Sequence, residues 1–264
     1  MKILRQKVPY WLLVQLAKTK NTFQIVVENN YDPIKDTPII FAVNHTNCYD
    51  FPITATAVGQ HVYVLVGKQR LGLLDRFFFS LNGVIYADRL DKEDTAAVKD
   101  GIVSVLRKGR AVCWYPEGTW NLTDNLLMLP MKWGIIDVAQ QAGAQIIPVA
   151  LVYDRTDMTC SVRFGTPLWG AKLQDKAMAI DELRDAMATL RWDLICRKPA
   201  LNRGAISIDQ LKSDIWQAID EYPPIEPEYE KQCVYWPNKV VDTLPTNLNP
   251  CRANAFLFSK AWNG

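Results

Sequence analysis

Short apolar runs alternate with longer amphipathic stretches from about residue 23 to residue 165. The runs are rich in β-branched and aromatic residues, and most end at Asn, Gly, Asp or Pro, which is typical of strands followed by turns. Strands are predicted at Phe23–Val27, Pro38–Val43, His61–Val66, Val84–Ala87, Ala111–Tyr115, Gln145–Val152 and Ser161–Phe164. Strands that alternate with helical segments indicate an α/β domain, and we expect a mixed, mostly parallel sheet flanked by helices.

The helical stretches have apolar positions three to four residues apart, the spacing of one helix face. Helices are predicted at Lys92–Lys108, Met131–Ala142, Asp175–Arg197 and Ile208–Glu221. From Tyr222 onward the chain is rich in Pro, Asn, Glu and Tyr, which favours irregular structure. We expect three parts: an N-terminal segment (1–22), an α/β domain (23–170), and a helical and irregular C-terminal extension (171–264) packed on that domain. The extension is expected to be pinned by aromatic residues such as Tyr229, Tyr235 and Trp236.

Composition indicates a folded chain and narrows the function classes. Of the 264 residues, 49% are hydrophobic and 22% charged, as in ordinary globular proteins. The formal net charge is only +2, so the chain lacks the overall basic field of nucleic-acid-binding proteins. Six cysteines occur without any Cys-x-x-Cys pair, which argues against zinc knuckles and redox motifs and favours reduced, mostly buried thiols.

The first 20 residues combine an apolar run, residues 8–14, with basic flanks and no acid. The basic residues are Lys2, Arg5, Lys7, Lys18 and Lys20. The run is too short to span a bilayer, which takes about 20 apolar residues, and no small-residue cleavage site follows it. It suits either a helix in the headgroup layer of an anionic membrane or an amphipathic helix that covers the core. We therefore expect a cytoplasmic protein, peripheral on the inner face of the cell membrane. The cluster Phe77–Phe79 could join that contact, although such clusters more often belong to a core.

One predicted strand runs directly into a candidate catalytic histidine. His45 follows the apolar segment Ile39–Val43, and Asp50 comes five residues after the histidine. An imidazole can accept a proton at neutral pH, and a carboxylate on its other ring nitrogen would fix the tautomer and stabilise the imidazolium. Such a pair can activate a substrate hydroxyl without a serine nucleophile. For the pair alone, a half-buried histidine that caps a helix is the simpler interpretation, so its meaning depends on other motifs.

Four sequence blocks carry a family resemblance by their order and separation. They are Asn44-His45-x-x-x-x-Asp50, Gly83–Arg89, Tyr115–Thr119 and Ile146–Ala150, accompanied by Lys68 and by Lys132-Trp133-Gly134. Over about residues 23 to 170 this arrangement resembles the glycerolipid acyltransferase family typified by 1-acylglycerol-3-phosphate acyltransferase. The resemblance implies the glycerolipid acyltransferase fold and an O-acyltransferase of phospholipid biosynthesis.

The resemblance also assigns residues to the chemistry and to the acceptor phosphate. His45 and Asp50 would be the catalytic dyad, with Asn44 beside them in the substrate site. Arg89 would bind the phosphate, a task suited to a planar guanidinium, unless it only forms a surface ion pair with a neighbouring aspartate. Further candidates for holding the phosphate are Lys68 and Arg70.

The third block would contribute to the acceptor site. Glu117 and Gly118 would bind the acceptor, together with Thr119 and Trp120, unless this segment is merely a turn after a strand. The family commonly has Arg after Glu-Gly-Thr, whereas this chain has Trp120, which offers an apolar face and a single N–H donor. The acceptor headgroup is therefore open. The fourth block, residues 146–150, is interpreted as a strand that shapes the acyl or cofactor site.

The resemblance implies direct attack of an acceptor hydroxyl on a thioester, with His45 as the base. The acyl donor would be acyl-CoA or acyl carrier protein, the acceptor a lysophospholipid such as 1-acylglycerol-3-phosphate (lysophosphatidic acid), and neither a metal nor a bound cofactor is required. The oxyanion of the tetrahedral intermediate needs donors about 3 Å away. We expect these donors among the backbone N–H groups near the start of the helix after His45.

Three other functions fit part of the pattern. A metal-dependent hydrolase could use His45, Asp50 and Glu117 as ligands, but the chain has only two histidines and His61 lacks ligand spacing to the first. A serine hydrolase is disfavoured because no Gly-x-Ser-x-Gly segment occurs. A catalytically silent lipid-binding module on the same fold is disfavoured only by the intact His-Asp pair.

Overall fold

Nine strands of the described chain form one mixed sheet. The structure, a computed structural model, describes residues 2–20, 22–67, 73–87, 92–122, 126–169, 175–197, 204 and 207–220. The strands are β1 (Lys2–Leu4), β2 (Gln24–Val27), β3 (Ile39–Val43), β4 (Val62–Gly67), β5 (Val84–Ala87), β6 (Ala111–Trp114), β7 (Gln145–Asp154), β8 (Thr159–Phe164) and β9 (Leu168–Trp169). Their order is β1-β5-β4-β6-β3-β7-β8-β2, with β9 paired to β7. The five strands from β5 to β7 are mutually parallel, which confirms the expected mixed, mostly parallel sheet.

Helices cover both faces of this sheet. They are α1 (Tyr10–Lys20), α2 (Asp50–Ala57), α3 (Leu73–Asn82), α4 (Lys92–Arg107), α5 (Gly134–Ala142), α6 (Lys176–Cys196) and α7 (Ile208–Asp220). Side chains of a strand alternate between faces, so Ile40 and Ala42 of β3 join the core with α4, α5 and α6. Phe41 and Val43 point the other way and join the core with α1, α2 and α3. All four are fully buried, as expected for a central strand of a parallel sheet.

The sequence prediction and the structure differ at several elements, among them β1, β9, α5 and α3. Strands β1 and β9 contain three and two residues, too few to produce a periodic signal. Helix α5 begins at Gly134, three residues later than predicted. Helix α3 was not predicted and contains the phenylalanine cluster. Phe78 is buried and Phe79 packs against the same core, whereas Phe77 is 60% exposed.

The N-terminal apolar run forms helix α1, which packs on α2 and α3. Leu13 and Ala17 are buried there, and the Tyr10 hydroxyl donates to the carbonyl of Ala55 at 2.7 Å. The helix therefore covers the core. It also leaves Trp11 65% exposed. Among the described residues, no helix combines the length with the apolarity that crossing a membrane requires.

Beyond the sheet, helix α6 packs on β7 and β8. The part of the extension expected to be pinned by Tyr229, Tyr235 and Trp236 lies outside the described residues, so that expectation stays a prediction. Four of the six cysteines are described, all as free thiols. Cys113 and Cys160 are buried, whereas Cys48 and Cys196 are exposed, so burial is less general than the sequence suggested.

Strand order brings distant segments of the chain to one edge of the sheet. Strand β3 lies between β6 and β7 and runs parallel to both. The segments after β3 and β6, together with the last residues of β7, therefore meet at the carboxyl edge. In open α/β sheets this edge is where ligands bind. His45, Tyr115, Glu117 and Tyr153 all lie there.

Candidate active site

His45 and Asp50 are brought into direct contact at this edge. The imidazole Nδ1 lies 2.7 Å from Oδ2 of Asp50. His45 follows the end of β3, and Asp50 is the first residue of α2, where a carboxylate is also favoured by the helix dipole. The Asp50 side chain is fully buried, whereas 21% of the imidazole surface is exposed. The carboxylate of the pair is thus shielded from solvent, whereas solvent can reach the imidazole.

The carboxylate of Asp50 is saturated with hydrogen bonds. Its Oδ2 also accepts from the backbone N–H groups of Thr46 at 2.6 Å and Asn47 at 3.0 Å. Its Oδ1 accepts from the Tyr153 hydroxyl at 2.6 Å and from Thr46 Oγ1 at 3.2 Å. Because two backbone N–H groups already donate to Oδ2, we expect the proton between this oxygen and the imidazole to lie on Nδ1.

These contacts change the expectation for the oxyanion donors. The backbone N–H groups of Thr46 and Asn47, just before α2, serve Asp50, and that of Tyr49 donates to Asn47 Oδ1 at 2.8 Å. These backbone N–H groups at the start of α2 therefore hold the carboxylate of Asp50 and the side chain of Asn47 instead of facing an oxyanion.

Two aromatic side chains form walls around the imidazole. The ring of Tyr115 stacks on His45 with centroids 4.1 Å apart and planes 20° apart. Trp120 meets the imidazole edge-on at 5.7 Å and is itself buried. Burial raises the pKa of Tyr115 well above its usual value, so this wall stays neutral. At the position where the sequence predicted a substrate contact, Trp120 thus packs against the histidine.

Glu117 and Asn121 hold the backbone of His45 from both sides. Glu117 Oε1 accepts from the His45 N–H at 3.0 Å, and Oε2 accepts from the Leu129 N–H at 2.8 Å. The carbonyl of His45 accepts from the Asn121 N–H at 2.6 Å. Glu117 is buried, and burial raises its pKa from 4.5 to about 7, although both backbone hydrogen bonds oppose that rise. Its side chain therefore positions the backbone of His45, and the predicted contact with the acceptor stays a prediction.

Other predicted site residues take different positions. Asn44 is fully buried, and its side-chain amide exchanges hydrogen bonds with the backbone of Leu151 at 3.1 and 2.7 Å. Its amide thus joins the end of β3 to β7, and the predicted substrate contact stays a prediction. Gly118 has a φ of 75°, which explains glycine in the turn that closes on Tyr115. Thr119 is exposed in the same segment. The predicted phosphate ligands, Lys68, Arg70 and Arg89, lie outside the described residues.

The three residues considered as metal ligands, His45, Asp50 and Glu117, do not suit a metal-dependent hydrolase. Both carboxylate oxygens of Glu117 accept backbone N–H bonds, which leaves them poorly placed as ligands beside His45. His61 stands at the start of β4, the opposite edge of the sheet, and its Nε2 lies 2.5 Å from the Asn82 carbonyl. In the part of the chain that the structure covers, no group of three His, Cys, Asp or Glu residues could hold a metal ion.

Comparison with known proteins points to one family. A family model described as Acyltransferase matches residues 24–152. The chain is 31% identical over 152 residues to a 1-acyl-sn-glycerol-3-phosphate acyltransferase of Saccharomyces cerevisiae, covering 54% of this chain and 46% of the yeast protein. It is 27% identical over 130 residues to a protein of the same name from Borreliella burgdorferi, covering 48% of this chain and 51% of the other. The family model and these relatives support an assignment to the glycerolipid acyltransferase family. The chain spans about half the length of these curated relatives.

A solved structure has the same fold as this chain. It is the 1-acyl-sn-glycerophosphate (LPA) acyltransferase PlsC from Thermotoga maritima, with a TM-score of 0.58 and 16% sequence identity. The match covers 72% of this chain and 81% of the Thermotoga protein. An identity of 16% supports the shared fold and assigns no role to individual residues.

The raised pKa of Glu117 predicts a specific pH dependence of stability. A carboxyl whose pKa is higher in the folded state stabilises that state fully below pH 4.5, and this contribution is lost as the pH rises through about 7. Between those values, wild-type stability should fall relative to that of Glu117→Gln by on the order of 3 kcal/mol. Urea unfolding of both proteins across this range measures the difference. Parallel stability curves would contradict the assignment.

Proposed function

We propose that this chain transfers a fatty acyl group from a thioester to a hydroxyl of a lysophospholipid, with 1-acyl-sn-glycerol-3-phosphate as the acceptor class. The observation that carries the proposal is the 2.7 Å contact between His45 Nδ1 and a buried Asp50, at the carboxyl edge of the sheet and with the imidazole partly exposed. The names of the acyltransferase relatives supply the reaction type and the acceptor class.

The geometry supports a general-base mechanism with His45 as the only proton carrier. With its Nδ1 proton bonded to Asp50, the imidazole presents an unprotonated Nε2 to the acceptor hydroxyl. Nε2 removes the hydroxyl proton as the hydroxyl oxygen attacks the thioester carbonyl carbon and a tetrahedral oxyanion forms. Collapse of this intermediate breaks the carbon–sulfur bond, and the imidazolium returns its proton to the departing thiolate. Asp50 stabilises the imidazolium between these two steps.

The acceptor headgroup and the acyl donor belong to the proposal as well. Lys68, Arg70 and Arg89 are proposed to hold the acceptor phosphate, because Trp120 replaces a cation that the family commonly has. A tryptophan wall against His45 supports an acyl chain better than a phosphate at that point. The donor is acyl-CoA or acyl carrier protein, both of which present the same thioester.

A peripheral contact with an anionic membrane is proposed for helix α1. Trp11 is 65% exposed, and the basic residues Arg5, Lys7 and Lys18 of the same N-terminal segment are exposed as well. Phe77 of α3, a helix that packs on α1, is exposed as well. Aromatic and basic side chains together suit the headgroup layer of an anionic bilayer.

Acyl transfer is tested with a panel of lysolipids and both donor types. Wild-type protein should acylate 1-acylglycerol-3-phosphate faster than neutral monoacylglycerol, and His45→Ala should lower the rate at least roughly 1000-fold while remaining folded. His61→Gln, which changes the other histidine at the far edge of the sheet, is the matched control and should stay active. Binding of labelled acyl-CoA without product would favour a silent lipid-binding module, and an active His45→Ala protein would refute the mechanism.

Membrane contact through α1 is tested by sedimentation with vesicles that contain anionic phospholipid. Trp11→Ala should weaken binding roughly tenfold, because it removes most of a large apolar surface from the interface. Trp133→Ala is the control, since Trp133 is 51% exposed beside α5 on the other face of the sheet. Equal loss in both variants, or binding that ignores Trp11, would argue against this surface.

A further inference from the structure

The two oxygens of the Asp50 carboxylate are held in different ways. Oδ2 is bound to His45 and to two backbone N–H groups of the adjacent turn, which belong to the same short segment. Oδ1 has the Tyr153 hydroxyl at 2.6 Å and a longer contact of 3.2 Å with Thr46 Oγ1. The short bond to Oδ1 therefore comes from a residue 103 positions away in the chain.

The surroundings of Tyr153 keep its hydroxyl protonated, so it donates a hydrogen bond to this carboxylate. It stands near the carboxyl end of β7, and its ring packs edge-on against Phe23 with centroids 4.9 Å apart. Burial, and the nearby charge of Asp50, raise the pKa of the Tyr153 hydroxyl well above its usual value. The hydroxyl thus keeps its proton across the pH range of the enzyme and can act on Asp50 only as a hydrogen-bond donor.

We propose that Tyr153 is a positioning residue for acyl transfer: its hydroxyl fixes Oδ1 of Asp50, so that Oδ2 stays directed at Nδ1 of His45. This inference rests on the proposed function, because it assumes that the His45–Asp50 pair performs the proton transfer. It adds a third side chain to the pair, supplied by β7, outside the blocks that carry the family resemblance.

The physical reason lies in the burial of the carboxylate. Asp50 has no exposed surface, so a carboxylate oxygen that loses its donor cannot turn to bulk water for a replacement. Without the Tyr153 hydroxyl, Oδ1 keeps only the longer bond to Thr46 Oγ1, and the carboxylate gains freedom to rotate away from the imidazole. His45 would then be less well oriented, which lowers kcat, while substrate affinity is little affected.

The test compares Tyr153→Phe with Tyr31→Phe. Both variants remove one tyrosine hydroxyl, and Tyr31 donates to the Val58 carbonyl at 2.8 Å, at the far end of α2 from Asp50. Tyr153→Phe should lower kcat roughly 10- to 100-fold, the range expected for losing a hydrogen bond to a charged group, with both KM values nearly unchanged. Tyr31→Phe should keep wild-type kcat per folded molecule. Equal kcat values in the two variants would overturn the proposal.

A double-mutant cycle separates positioning through Asp50 from a general structural role. If Tyr153 acts through the carboxylate, adding Tyr153→Phe to Asp50→Ala should change the residual rate less than about twofold. A further loss of the full 10- to 100-fold in that background would overturn the proposal. An inactive wild-type protein, or an active His45→Ala variant, would refute the proposed function itself. Wild-type activity that requires His45 but survives Tyr153→Phe unchanged would refute only this inference.

Discussion

The charge of Asp50 is buried completely, and this imposes the constraint around which the carboxyl edge of the sheet is arranged. A carboxylate without solvent must receive all its hydrogen bonds from the protein. The turn after His45 supplies two backbone donors and Tyr153 supplies a hydroxyl from another strand. The imidazole of His45 contacts Oδ2 as well, which orients the ring and favours a proton on Nδ1.

The backbone of the histidine is held as firmly as its side chain. Glu117 accepts from its N–H group and Asn121 donates to its carbonyl, so the segment after β6 clamps the end of β3. Asn44 makes the neighbouring connection to β7 by bonding the backbone of Leu151. Contacts from the segment after β6 and from β7 therefore hold His45 and the residue before it. Glu117 and Asn121 thus hold the backbone of His45 directly, and Asn44 holds the segment next to it.

Sequence patterns predicted the fold and the location of the pair, but not these supporting contacts. Alternation of strands and helices, and the run from β3 into His45, are local signals. Tyr153 bonds a carboxylate 103 residues earlier, and nothing in the apolar segment around it indicates which way its hydroxyl points. Glu117 and Asn44 were expected to contact substrate because they are polar and lie in motifs. Whether such a side chain serves a ligand or the backbone depends on tertiary contacts. The carboxyl-edge rule could have singled out Tyr115 and Tyr153 as neighbours of His45.

The tautomer of His45 is the most direct test of this account, because every contact around Asp50 serves to place the proton on Nδ1. The chain has only two histidines, so 15N-histidine NMR spectra can be assigned with the aid of His45→Ala. For the neutral imidazole of His45, we predict a protonated Nδ1 and an unprotonated Nε2, and loss of this preference in Asp50→Ala. A wild-type His45 that carries its proton on Nε2 would contradict the account. Nε2 would then already be protonated and could not remove the proton of the lysophospholipid hydroxyl.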